Sequence, residues 1–153
     1  MRRTDKEVQD PGKLEEIIEK AFVLRIAMFD DAYPYLAPVN FGYRDGEFYF
    51  HSAPEGKKID LIRRNNRVCF EVEADCGLLK ADSPCKWTTS YASVVGFGRA
   101  IFLADPQEKW RGLEIIFRHY ASDPFEVPLS SLDRLAVIKI EVESMTGKAS
   151  PGR

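Results

Sequence analysis

The sequence predicts a mainly β, α+β fold: an antiparallel barrel of five or six strands decorated with three helices. Three observations carry this. Short runs alternate apolar and polar residues with period two, as Val68, Phe70 and Val72 do, the pattern of strands with one buried face. Most links between these runs are of turn length, too short for the crossover helix that a parallel pair requires. Three other stretches repeat their apolar residues at helical spacing.

Each element can be justified in order. Residues 1–10 are polar, charged and without period, so residues 1–12 read as an extended arm that Pro11 and Gly12 end. Residues 13–20 form a helix, because Leu14, Ile17, Ile18 and Ala21 recur at i, i+3, i+4 and i+7. Residues 22–29 are the first strand. After a turn at Asp30, Asp31 and Ala32, residues 35–43 return as a second, with Pro38 marking an edge or bulge. Asp45-Gly46 supplies the positive φ angles of a tight hairpin. The next strand turns Phe48 and Phe50 to one face, and Tyr49 and His51 to the other.

A helix follows. Ser52 and Glu55 have the spacing of a capping box, Pro54 suits a first turn, and Ile59 with Ile62 gives the buried stripe. Residues 67–73 are a strand, 75–84 a loop, and 87–103 the longest strand, where Gly96 and Gly98 allow a bend or a close backbone approach. Asp105 and Pro106 open a last helix with Trp110, Leu113, Phe117 and Tyr120 as its stripe. Pro124 and Pro128 punctuate a loop, residues 135–142 form the final strand, and 146–153 read as a loose tail.

Length and composition bound the function. The 153 residues suit one domain, and 44% hydrophobic with 30% charged residues describes an ordinary folded chain. A net charge of -2 gives no reason to expect nucleic acid. No apolar run reaches the roughly 20 residues of a membrane span, and no apolar signal core is visible. Cys69, Cys76 and Cys85 are odd in number and lack metal-ligand spacing, and His51 and His119 are the only imidazoles. Reduced thiols, a cytoplasmic setting and no metal are therefore expected.

The stretch EFYFHSAPEGKKIDLIRRN carries the clearest chemistry. Gly56, Lys57 and Lys58 stand at a helix entrance, where unpaired N–H groups and the helix dipole already favour an anion. The residues alone leave open a phosphate seat or a solvated surface helix. No carboxylate pair, Ser-His-Asp set or Cys-His set lies near it, and no Rossmann glycine fingerprint is present.

Five segments, MRRTDKEV, YPYLAPVNFGY, EFYFHSAPEGKKIDLIRRNNRVCFEV, SYASVVGFGRA and LDRLAVIKIEVESMTGKA, together resemble the pyridoxamine 5′-phosphate oxidase-like flavoproteins, and within them the nitroimidazole-resistance branch. The resemblance implies a six-stranded antiparallel split β-barrel with flanking helices that binds FMN. It places the isoalloxazine ring against backbone of Leu24, Arg25, Ile26 and Ala27, with Pro38, Val39 and Asn40 continuing the wall. His51 and Ser52 lie beneath the phosphate, and Gly56, Lys57 and Lys58 hold it. The branch often has histidine where Lys57 stands. Trp87, Tyr91 and Ser93 belong to a segment that closes the flavin site of a partner subunit, so a homodimer with two interfacial sites is expected. An apolar strand over residues 91–103, too long for an exposed edge, agrees with pairing.

The implied activity is transfer of electrons from a donor such as NAD(P)H to a small planar acceptor, nitroaromatics included, rather than true pyridoxamine phosphate oxidation. The alternatives are a flavin carrier without turnover, or haem binding on the same barrel through His51 or His119. His51 is the one candidate for acid–base catalysis near the site.

Overall fold

A computed structural model describes residues 4–123 and 132–150. Its strands form one antiparallel sheet. In chain order they are β1 (Glu7–Val8), β2 (Leu24–Met28), β3 (Tyr35–Val39), β4 (Phe41–Arg44), β5 (Glu47–Ser52), β6 (Arg67–Leu79), β7 (Thr88–Phe102) and β8 (Ala136–Ser150). The helices are α1 (Pro11–Lys20), α2 (Lys57–Arg64) and α3 (Pro106–Tyr120). Strand order is β3-β2-β6-β7-β8-β5-β4, with β1 added beside β8. The barrel is therefore split. β3 and β4 lie at opposite ends of the hydrogen-bonded order, yet only Asn40 separates them in the chain.

Alternation decides what fills the interior. Leu24, Ile26 and Met28 of β2, Phe48 and Phe50 of β5, and Val68, Phe70 and Val72 of β6 all point inward and are buried. Phe70 meets Phe48 with ring centroids 4.8 Å apart, and Phe48 meets Phe41 at 5.7 Å. Gly96 lies beneath Phe70: a Cβ there would collide with the Phe70 ring and with the Ser144 carbonyl. The close approach expected at this glycine is thus explained by one aromatic ring.

A second, smaller cluster lies outside the barrel wall. There Leu113 and Ile116 of α3 pack with Val137 and Leu132, flanked by Tyr49, Trp110 and Tyr120. The α3 stripe is rotated from the expected one, because Ile116 is buried where Phe117 was expected. Asp105 caps α3 as its sequence predicts, accepting from the N–H groups of Gln107 and Glu108. Asp45 and Gly46 have φ of 52° and 83°, the left-handed pair of the expected hairpin.

Several expectations are corrected. Asp10 caps α1, accepting from the Lys13 N–H at 3.0 Å, so Pro11 and Gly12 begin that helix rather than break the chain. Within the arm, Glu7 and Val8 pair with Lys148 and Gly147. The expected strand over 35–43 is two strands, because at Asn40 the chain leaves β2 for β5. Residues 75–79 are strand rather than loop: after a bulge between Ala74 and Gly77, β6 continues pairing with β7. Residues 146–150 are not loose, since Thr146 to Ser150 pair with Val95 to Tyr91. Finally, β7 is no edge; β6 and β8 cover both its sides, so what it offers a partner is a face. The loop expected around Pro124 and Pro128 lies outside the described residues.

Candidate functional site

The split lies between the free edges of β3 and β4, and the next strand, β5, leads through a short loop into α2. α2 starts as it does because of Gly56, its N-cap, at φ 115°. That backbone favours glycine over any residue with a Cβ. The expected Ser52–Glu55 capping box does not form, and no side chain caps α2, so its first N–H groups remain without a side-chain acceptor. A Cβ at Gly56 would meet nothing within 4 Å, so the space above these donors is open.

The two lysines behave differently. Lys57 Nζ is 2.6 Å from Asp30 Oδ2 and 5.1 Å from the centre of the Tyr35 ring. That contact holds the Asp30 carboxyl below its usual range. Lys58 has no carboxylate partner among the described residues; its Nζ lies 5.7 Å from the centre of the Phe50 ring, and burial lowers its pKa. Beside it, His51 Nδ1 is buried without a hydrogen-bond partner. A half-buried cation and a helix start without a side-chain cap lie together at the entrance of α2, and these two fit a phosphate; His51 Nδ1 is closed off from solvent beside them.

Burial, and then the neighbouring Lys58 charge, push the His51 pKa below 6.5. A histidine whose folded pKa is depressed contributes stability above its unfolded value, and loses it as pH falls through the folded one. The unliganded protein should therefore lose stability below about pH 6.5, and His51→Gln should flatten that decline. Thermal melts of both proteins from about pH 7.5 to about pH 5 check this; parallel curves would refute it.

Other site candidates divide by location. Leu24, Ile26 and Val39 turn their side chains into the core. β2 pairs along its whole length with β3 and with β6, so its backbone is engaged on both sides. On β2 the side chains of Arg25 and Ala27 face outward, and Arg25 is already bonded to Glu71 at 2.9 Å. β3, which carries Pro38 and Val39, keeps one free edge, and Asn40 follows it. Asn40 itself is exposed; beside it the Tyr120 phenol accepts from the Phe41 N–H at 2.9 Å and donates to the Phe22 carbonyl at 3.0 Å. One residue further on, the register Phe41↔Phe50 carries Asn40 towards His51.

Trp87, Tyr91 and Ser93 lie elsewhere in the same chain. Tyr91 and Phe97 share the outward face of β7, six residues and about 20 Å apart. Tyr91 sits between the ammonium groups of Lys6 and Lys148, at 5.8 and 5.6 Å from its ring centre. Trp87 donates from its indole to the Ala81 carbonyl at 3.0 Å. His119 is engaged too, with Nε2 2.7 Å from the Ala21 carbonyl and its ring 4.3 Å from Phe41.

Sequence reasoning missed a groove of about 590 Å³ on the outward face of β2, β6 and β7, lined by Ala27, Phe29, Tyr33, Arg67, Cys69 and Phe97 among others. Its signal was weak, because the outward Ala27, Cys69 and Phe97 alternate with charged residues such as Arg25, Arg67, Glu71 and Arg99. Asp30 also lines it, so the Lys57–Asp30 pair joins groove to helix start. Cys69, Cys76 and Cys85 are free thiols. Among the described residues no cluster of three metal-ligating side chains occurs, and no helix is long and apolar enough to cross a membrane.

Comparison with known proteins fits this geometry. The chain shares 34% identity with a structure from Bacteroides thetaiotaomicron VPI-5482, provisionally described as a 5-nitroimidazole antibiotic resistance protein, over 94% of this chain and 86% of that one, at TM-score 0.85. Flavocytochrome Anf3 from Azotobacter vinelandii has TM-score 0.86 at 18% identity, covering 99% and 72%. An FAD and heme binding protein from Mycobacterium smegmatis has TM-score 0.84 at 17% identity, covering 96% and 74%. At such identities those two share the fold. No curated protein sequence matches. The family model for pyridoxamine 5′-phosphate oxidase matches residues 10–149, nearly the whole chain, and the chain belongs to that family.

Proposed function

We propose that the protein binds FMN in the split and passes electrons from a reduced donor such as NAD(P)H to a small planar acceptor, nitroaromatics included. The observation that supports this is the start of α2, which has no side-chain cap and carries a half-buried Lys58 without a carboxylate partner among the described residues. A terminal phosphate answers both the helix N–H groups and the Lys58 ammonium; an adenosine finds no evident counterpart there. When bound, the flavin supplies the redox chemistry. The chain binds its phosphate through Lys58 and the α2 N–H groups, orients its ring along Pro38, Val39 and Asn40, and offers no carboxylate pair for proton transfer. Burial and the neighbouring Lys58 charge disfavour a positive charge on His51.

The test is a visible spectrum of purified protein, then anaerobic addition of NADPH and a nitroaromatic. Two flavin bands that bleach and return support the proposal. Bands that never bleach mark a carrier, and a dominant Soret band marks haem on His51.

The same proposal includes a homodimer. Leu36, Val95 and Phe97 are 58%, 41% and 57% exposed on one outward sheet face, an apolar area of the kind that covers itself by association. Val95→Asp is expected to give a monomer with a near-native melt. Light scattering checks it: a wild-type monomer at micromolar concentration would remove the dimer from the proposal.

A further inference from the structure

We infer that the groove on the β2–β6–β7 face binds a planar aromatic ligand carrying one negative charge, with Arg67 as its anchor. The argument begins with strand register. Arg67 of β6 stands directly opposite Arg99 of β7, and like charges so placed repel. A bulge in β8 supplies part of the remedy. Pairing steps from Phe97↔Ser144 to Gly98↔Val142, which leaves Glu143 as the extra residue. Bulges re-aim side chains. Glu143 reaches Arg99, with Oε1 2.6 Å from Nε.

Glu143 thus neutralises Arg99 alone. Of the charged groups lining the groove, Asp30 is paired with Lys57 and Glu143 with Arg99, while Arg67 has no ion-pair partner among the described residues. The remaining walls are apolar or aromatic: Met28, Phe29, Tyr33, Pro34 and Phe97. Flat apolar walls select a ring, and one unneutralised guanidinium at the rim selects a carboxylate or similar anion. The groove is within the usual size of a small-molecule site. If a second copy docks on this face, it either roofs the groove or fills it, and only the first is compatible with the inference.

The probes are 4-nitrobenzoate and 4-nitrobenzamide, which match in ring and size and differ in charge. Titration by calorimetry reads groove binding whether or not flavin is present, so a failed flavin assignment would not be confused with a failed groove. The acid should bind about tenfold tighter than the amide, the factor expected of one charge-assisted contact. Arg67→Met, which keeps the aliphatic stem, should abolish that preference. Glu143→Gln frees Arg99 and should tighten the acid severalfold, the opposite sign from any loss through misfolding. Equal binding of both probes overturns the inference, as does a preference that survives Arg67→Met. So does binding that vanishes as protein concentration rises and copies associate.

Discussion

Lys58→Met is expected to weaken FMN by about ten- to a hundredfold while leaving riboflavin unchanged, the range set by one charge-assisted phosphate contact. Methionine keeps the stem against Phe50 and removes only the charge. Lys57→Met should do much less, because Asp30 already holds that ammonium at 2.6 Å. Two adjacent lysines therefore differ in effect, although the sequence presents them as a pair. Fluorescence titration of both flavins against both variants is the measurement. Were riboflavin to weaken as much as FMN, the phosphate would not be where Lys58 points.

Phe70→Ala is expected to cost about 3–5 kcal/mol of stability, the range for emptying a large aromatic site in a packed core. Phe70 is fully buried, stacks on Phe48, and lies over the space that Gly96 leaves free. Its neighbours are strands paired on both sides, which collapse poorly into a void. Leu78→Ala, at a 58% exposed position, serves as the control. Urea unfolding of both variants gives the comparison, and a Phe70→Ala cost below about 1 kcal/mol, the level of an average substitution, would show that the barrel wall can close the gap.

What the sequence made legible was local. Asp45-Gly46, the Asp105 cap and the alternation through Phe70 each depend on residues within one turn or one strand, so their chemistry can be read in place. The Ser52–Glu55 pattern misled because Gly56, with its positive φ, starts the helix later and leaves the donors open. Residues 75–79 and 146–150 looked irregular because their strand character comes from pairing with β7, not from their own composition. The site divides the same way. Gly56, Lys57 and Lys58 were visible as a unit, whereas the engagement of Lys57 by Asp30, the bond from the Phe41 N–H to the Tyr120 phenol, and the groove around Arg67 are long-range facts.

The position of β8 bears on how the molecule comes together. On one side it pairs with β7 and on the other with β5, so it is the seam between the β3-β2-β6-β7 sheet and the β4–β5 hairpin. Pro38 and Val39 stand on the first piece, His51 and Ser52 on the second, and Phe50, already opposite Phe41, gains Ile138 on its other side only when β8 arrives. Closing so long a loop is slow relative to hairpin formation. During synthesis both halves of the split emerge early, as two pieces joined at Asn40, and they acquire a common geometry only when the last strand slides between them. A ligand that bridges the split therefore reports on the finished chain, and its binding should appear late in refolding, in step with the pairing of β8.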